Sequence, residues 1–548
     1  MKKRRLVVIA TTLAVACGAT ACSGDGGPTD SQSDYDPQIA TAAPAGDEQV
    51  DSITWNIPSG EPLSLDPAQA WIDSNSTVEA NLCEPLMRFK SDYTQEPALA
   101  TSVGHPNSTT WVFHLREGVT FWDGTPMTAA DVVYSLKRVL DPKVGSSWSR
   151  WPPDGATITA DGTHTVTLKV PKFNSAISNY FATPAFAVVS KAFAEKAGKT
   201  FGSPAGGVMC TGPYELDPSD WVSGQSITVK RNDHWWDHGD LPKVRSVKFE
   251  FVTDPAAQTA GVANGEIDGQ WKPGISSFTQ LEKADGHLLH AHGLATSYLS
   301  VLSFDGALGD VKVRRALQKS IDYDGIVKSV YRGAATPLRA IAPPTGWGYG
   351  KKVFQAGWNA LPEPAQDLDA ARKLASSSSK ASEPINLAYR TTSDEATKIV
   401  TAIAASANSI GLNVKLKPLT GDEYGALFYD SGARKGLDMF LITGALDFPD
   451  PAPYYQFFTI GDPNNFNGYA NKEYTAQITS AMGAADPDKK AEHVVAAQKI
   501  MAADLVNIPL VTQTTSVYYS GSLGGLLPSG SFIYTPWAAD LGGRKDRR

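Results

Sequence analysis

A chain of 548 residues is well past the ~250–300 at which one hydrophobic core stops growing, so at least two lobes are expected. Apolar residues make up 42% and charged residues 19%, which excludes disordered, collagen-like and coiled-coil chains. The formal net charge of −8 argues against nucleic acid as a partner.

Met1-Lys2-Lys3-Arg4-Arg5 leads into the apolar run Leu6 to Ala16, too short to span a bilayer comfortably and typical of an export signal. The run closes on Ala19-Thr20-Ala21-Cys22-Ser23-Gly24, which resembles the lipobox at which a bacterial lipoprotein is cleaved and acylated. Residues 1–21 then form the signal peptide, and Cys22 carries the lipid that holds the protein to the outer face of the bacterial cytoplasmic membrane. Cys17 is a second possible acylation site; the alternatives are plain signal cysteines or an uncleaved membrane helix. No other run of about 20 apolar residues follows. Cleavage would remove Lys2, Lys3, Arg4 and Arg5 and no acid, so the mature chain is more acidic still.

Residues 22–50 are rich in Gly, Ser, Asp, Pro and Ala and read as a flexible tether. Two further cysteines, Cys83 and Cys210, are expected to pair, because disulfides persist outside the cytoplasm. A bridge closing so long a loop contributes about 4–5 kcal/mol in the entropy model; the alternative is two buried free thiols.

Trp111, Phe113 and Leu115 alternate with smaller or polar residues as in a strand, and Glu117 to Gly124 reads as turn, strand and turn. Thr128 and Asp131 resemble a capping box, and Val132, Val133, Leu136, Val139 and Leu140 follow at helical spacing until Asp141-Pro142. Val313, Ala316, Leu317 and Ile321 mark a second helix; Ile326, Val327, Val330 and Tyr331 mark a third, capped by Asp322 and ended by Gly333. A βαβ unit is predicted from a strand over 385–390, a helix over 393–409 stopped by Gly411, and a strand over 413–417. Leu437 to Thr443 is a buried strand running into Asp447-Phe448-Pro449-Asp450-Pro451, the kind of strand end past which open α/β sheets bind ligands.

These elements carry a resemblance. The stretch Trp111 to Pro142, with Phe-His-Leu-Arg-Glu-Gly-Val-Thr-Phe-Trp-Asp-Gly-Thr-Pro at its heart, and Asp310-Val311-Lys312-Val313-Arg314-Arg315-Ala316-Leu317 are similar to hallmarks of the family 5 extracellular solute-binding proteins. Shorter matches follow in the same order: Ser64-Leu65-Asp66-Pro67, Cys83-Glu84-Pro85-Leu86, Thr211-Gly212-Pro213-Tyr214, Trp235-Trp236, Gly265-Glu266-Ile267-Asp268 and Ile508-Pro509-Leu510. The resemblance implies an α/β fold, a large type II periplasmic-binding-protein-like clamshell with an extra subdomain in lobe one. It places lobe one at 51–305, lobe two at 306–504, and the return to lobe one with the C-terminal tail at 505–548. The hinge falls near Tyr298 to Phe304 and Pro509 to Tyr518. The implied function is capture of a di- or oligopeptide for an ABC permease with separate ATPase subunits, by a monomer without cofactor. A glycan, siderophore or nickel complex is the alternative ligand, because a scaffold does not dictate its cargo.

A zwitterionic peptide buried between lobes needs an anion for its ammonium and a cation for its carboxylate. In dipeptide receptors of this family an Asp in the pattern Asp-x-x-Asp-Pro holds the ammonium, which points to Asp447; an Arg at the end of a strand holds the carboxylate, which points to Arg390. A turn cap is the bland reading of Asp447, and a surface ion pair that of Arg390. Trp71, Trp271 and Tyr389 are candidate aromatic walls, or equally core or rim packing. Peptide binders often carry a Trp three positions before the Asp; here Gly444 stands there, implying a roomier pocket or another ligand.

His287, His290 and His292 raise a metal site, but no Cys or third ligand stands at recognisable spacing, and no metal is expected. Neither a Gly-x-Ser-x-Gly elbow, a His-Glu-x-x-His nor a phosphate-binding loop is present; Thr345 to Lys351 is Gly-rich at the wrong spacing. No enzyme is expected, a secreted peptidase being the remote alternative. Arg544 to Arg548 reads as a solvated basic tail.

Overall fold

The computed structural model describes residues 37–547. The signal peptide and acylation at Cys22 or Cys17 lie outside the described residues. Residues 37–50, expected as tether, instead run along the body: Ala40 N–H donates to His290 O, Glu48 N–H to Gly543 O, and Val50 N–H to Lys243 O. Small residues permit this approach; a Cβ on Gly46 would lie 2.3 Å from Gly524 O.

One sheet runs through the molecule, in the order 413–419, 384–390, 439–445, 286–301, 507–520, 269–271, 53–56, 246–250, 226–231, 214–215. Its centre is the antiparallel pair Gly286–Val301 and Asn507–Ser520, which belongs to both halves. Residues 295–301 pair with 439–445 on one side, and residues 517–519 pair with 269–271 on the other. The pair is interrupted by a bulge between His292 and Thr296, earlier in the chain than the hinge implied by the resemblance. Gly293 sits in it, where a Cβ would lie 2.4 Å from Gln513 O, so only glycine allows the crossing.

The predicted βαβ unit forms. Pro384–Arg390 and Asn413–Leu419 pair in parallel, joined by the helix Asp394–Ser409, which Ser393 caps by accepting from Ala396 N–H at 3.1 Å. Gly411 ends it at φ +93°. The helix Val311–Ser320 is followed by Tyr323–Ser329, capped by Asp322. The segment after Gly118 makes only a bridge between Thr120 and Pro126 rather than a strand, because Gly118 and Gly124 both take positive φ and turn the chain twice.

Thr110–Leu115 belongs to a separate four-stranded sheet, in the order 100–107, 110–115, 165–169, 157–160. Trp111, Phe113 and Leu115 are buried and His114 is exposed, and the helix Ala129–Leu140 packs on this sheet. Its start is fixed by Asp131, whose carboxylate accepts from the N–H (3.0 Å) and hydroxyl (2.9 Å) of Thr128.

The family-like motifs are staples between distant segments. Asp66 takes a two-pronged bond from Arg138 (3.1 and 2.6 Å). Glu84 accepts from Thr211 Oγ1 (2.9 Å), Trp235 Nε1 (3.2 Å) and Trp236 Nε1 (2.9 Å); burial pushes its carboxyl up to about 7 against these donors. Beside it Cys83 and Cys210 form a disulfide. Arg314 donates to the carbonyl of Asp504, and Arg315 to those of Ala502 and Ala503, filling the open C-terminus of the helix Pro487–Asp504. Among the described residues no helix is long and apolar enough to cross a membrane.

Candidate functional site

The strand Met439–Ala445 leaves the core as it proceeds. Met439 to Ile442 are buried, whereas Thr443, Ala445 and Asp447 are exposed and Leu446 and Phe448 are buried. With side chains alternating sides, Thr443, Ala445 and Asp447 share the open face. Gly444 points the other way, and a Cβ there would meet Tyr454 Oη at 3.1 Å. The space a larger residue would fill is taken by that tyrosine, so Gly444 does not enlarge the pocket.

The two acids of Asp447-Phe448-Pro449-Asp450-Pro451 have opposite fates. Asp450 caps the helix Pro451–Gln456 and accepts from Ala452 N–H (3.1 Å), Tyr349 Oη (2.9 Å) and Asn179 Nδ2 (3.2 Å). It is also ion-paired with the buried Lys490. Asp447 pairs with no cation among the described residues; its hydrogen-bonding contact is Tyr534 Oη at a long 3.5 Å. Its side chain touches solvent, yet protein surrounds it deeply enough that burial pushes the carboxyl up to about 6. Exposed past the strand end, it is an anion without a countercharge among the described residues.

The Tyr534 phenol stands against Asp447. Burial, and after it the Asp447 charge, holds the phenols of Tyr93, Tyr180 and Tyr534 above the usual tyrosine range. Tyr180 meets Phe448 edge-on at 4.8 Å and stacks on Trp151 at 4.0 Å. A groove of about 1100 Å³ opens alongside, lined from both halves by residues such as Tyr93, Asn179, Phe448, Asp450 and Lys490. Asp447 is not in its lining, and the groove's own acid is already paired.

Arg390 ends the strand beside Met439–Ala445, exposed and without an ion pair among the described residues. Its guanidinium lies 6.0 Å from the Tyr424 ring centre, and the Tyr424 hydroxyl donates to Leu441 O at 2.9 Å. Both candidate charges therefore stand at C-terminal ends of neighbouring parallel strands. Asp394 and Glu395 fill the first turn of the next helix.

The proposed aromatic walls lie elsewhere. Tyr389, alternating with Arg390, is 8% exposed and packs in the core with Ile399 and Ile403. Trp271 is buried, stacked on Phe532 at 4.3 Å and edge-on to Trp537. Trp71 is 66% exposed and outside the groove. Of the histidines, His290 is buried against Phe278, bonded to Ser516 Oγ and pushed down to about 4 by burial; His287 meets Arg544 at 2.6 Å and His292 is exposed. Among the described residues no three His, Cys, Asp or Glu cluster as metal ligands. Arg544 is thus docked rather than part of a free tail, its N–H donating to Ser522 O.

Residues 94–466 match the model of the bacterial extracellular solute-binding proteins, family 5 middle region. The chain belongs to this family. It is 28% identical to the dipeptide-binding protein DppE of Bacillus subtilis over 478 residues, covering 82% of this chain and 84% of that one. It is 26% identical to the periplasmic oligopeptide-binding protein OppA of Salmonella typhimurium over 500 residues, covering 86% and 89%. The ABC transporter substrate-binding protein CtaP of Listeria monocytogenes superposes with a TM-score of 0.79 at 22% identity, covering 90% of this chain and all of that one. The fold is therefore the two-lobed α/β clamshell of periplasmic binding proteins. As a family 5 member the protein is a substrate-binding component of an ABC importer, working with a permease and ATPase subunits rather than as an enzyme.

Sequence reading missed Tyr93, Tyr180, Tyr534 and Lys490, which carry no local pattern. One legible signal was available: an Asp directly before a Pro that opens a helix is a cap, which marks Asp450 as structural and leaves Asp447 for the ligand.

Proposed function

We propose that the protein captures a di- or oligopeptide with a free N-terminal ammonium between its lobes, seating the ammonium on Asp447 and the carboxylate on Arg390. The observation that carries this reading is the carboxylate of Asp447, exposed past the end of its strand and without a cation among the described residues. Arg390 supports it as a cation at the end of the neighbouring strand, unpaired among the described residues. Extrapolating the parallel register from Ala388 and Phe440 sets the two Cα atoms about 17 Å apart, room for a few residues at ~3.4 Å each. DppE and OppA, dipeptide- and oligopeptide-binding by name, favour the same ligand class.

Lobe one is assigned to 51–305 with 505–548, and lobe two to 306–504; closure about the bulge beside Gly293 follows from ligand contacts that favour the closed state. The receptor acts as a monomer, anchored through Cys22 to the outer face of the cytoplasmic membrane. Mass spectrometry of cargo released on denaturing the purified protein tests the reading. Peptides are expected, and Asp447→Ala protein is expected to carry none. Release of a sugar, siderophore or metal chelate alone from the wild type would sink it.

A further inference from the structure

Away from the paired strands Gly286–Val301 and Asn507–Ser520, residues 150–180 reach across to residues 450–482 and bond to them at three points. Arg150 sends its guanidinium to both oxygens of Asp462, at 3.2 Å each, and lies over the Phe457 ring, 5.5 Å from its centre. Asp462 is set to receive it: Oδ1 accepts from the N–H (2.9 Å) and the side-chain amide (3.2 Å) of Asn464, and the carboxylate side chain is only 7% exposed. Ser175 stands at the C-terminal end of the helix Lys472–Met482, where carbonyls run out of helical partners. Its N–H donates to Met482 O at 2.8 Å and its hydroxyl to Ala481 O at 3.1 Å. Asn179 Nδ2 donates to Asp450 at 3.2 Å.

The reaching side is braced as one piece. Trp151, next to Arg150, stacks on Tyr180 at 4.0 Å, and Asn174 Oδ1 accepts from Ala176 N–H at 2.9 Å, fixing the turn that presents Ser175. The receiving side is braced by the Asp450–Lys490 pair, which ties the start of the helix Pro451–Gln456 to the helix Pro487–Asp504. Between the sides lies a cavity of about 250 Å³, bounded by Pro153, Pro171 and Phe173 on one side and Gln456, Ile478 and Met482 on the other. This stretch of the seam is thus held by polar contacts around a gap, where an interior would be close-packed. None of the three bonded points uses Asp447 or Arg390.

We propose that Arg150, Ser175 and Asn179 form a latch that holds the two lobes together independently of the ligand. The two-pronged guanidinium–carboxylate pair fixes the approach in direction as well as distance, and Ser175 satisfies carbonyls that the helix itself leaves open. The latch raises the closed fraction before cargo arrives, so a ligand that prefers the closed state has less of the equilibrium to shift. Opening to release cargo breaks the same three contacts. Of these, the Arg150 side chain is 41% exposed, which makes its pair the one that salt screens. The latch rests on the lobe assignment of the proposed function and not on the chemistry of the ligand.

The test uses the full mature protein, freed of cargo by unfolding and refolding, with Arg150→Ala, Arg150→Glu and the triple variant Arg150→Ala/Ser175→Ala/Asn179→Ala beside the wild type. Small-angle X-ray scattering measures the separation of the lobes, and hydrogen exchange measures the amide of residue 175. Without ligand, the wild type is expected to be more compact than Arg150→Glu and the triple variant, and its residue 175 amide to exchange about tenfold more slowly. Exchange in the strand Asn507–Ser520 should be the same in all, which checks folding; should the triple variant fail that check, Arg150→Ala, altered at an exposed side chain, decides. Equal size and equal exchange at residue 175 in wild type and folded variants would overturn the latch, as would a ligand-free wild type whose residue 175 amide exchanges freely. Cargo that is not peptide would overturn the proposed function and leave the latch standing.

Discussion

Asp447 and Asp450 lie three residues apart in one loop and differ in almost everything that decides a role. Asp450 is closed off, bonded to a backbone N–H, a phenol, an amide and an ammonium. Asp447 is wetted, charged and short of partners. The comparison teaches that a buried acid with its own cation is part of the frame, whereas an enclosed acid without one waits for a cation from outside.

The sharpest way to break this comparison is to make Asp450 resemble its neighbour. Lys490→Met leaves the Asp450 carboxylate buried and unpaired and is expected to destabilise the fold by about 3–5 kcal/mol, read by urea unfolding. Adding Asp450→Asn should recover most of that loss. If Lys490→Met alone costs nothing, Asp450 is not the framing acid.

Asp447→Ala is expected to lower peptide affinity by about 2–5 kcal/mol while leaving the melting temperature unchanged or raised. Calorimetry with the peptide identified in the cargo measures it, and an unchanged affinity would return Asp447 to the status of a loop residue.

A pH series sharpens the contrast further. Because the Asp447 carboxyl titrates near 6 in the folded protein, above its ordinary 3.8, its protonated form favours the fold. That contribution is complete below about pH 4 and fades as pH rises through 6. Asp447→Asn should therefore gain stability relative to the wild type between those values. Peptide affinity should move the opposite way, falling about tenfold per unit below pH 6, a dependence absent from the Asn variant.

The smallest effect is expected at Arg390. Its exposure limits an ion pair there to about 1 kcal/mol, so Arg390→Ala should weaken binding no more than about fivefold, less than Asp447→Ala under the same conditions. A loss equal to that of Asp447→Ala would mean that the guanidinium is enclosed when ligand is bound.

Much of the frame was legible because it is local. Thr128 with Asp131, Ser393, Asp322 and Gly411 fix helix ends through contacts within a few residues, and alternation along Trp111 to Leu115 orients a strand without help from the rest of the chain. Errors fell where chain direction depends on distant backbone. Residues 37–50 read as tether because their composition is tether-like, yet they find carbonyls and amides at 243, 290 and 543. Tyr389 and Trp271 read as pocket walls because aromatic side chains suit either place, and only the neighbours on each face of the sheet decide.

By itself the sequence determined the family, the α/β elements and the staples that hold them, since each depends on residue order and short-range bonding. Tertiary structure alone decided which acid is paired and which is not. Asp450 meets Asn179 and Tyr349, 271 and 101 positions away, only when those segments are folded together, and a missing countercharge is a property of the surrounding space, visible only once every neighbour has taken its place.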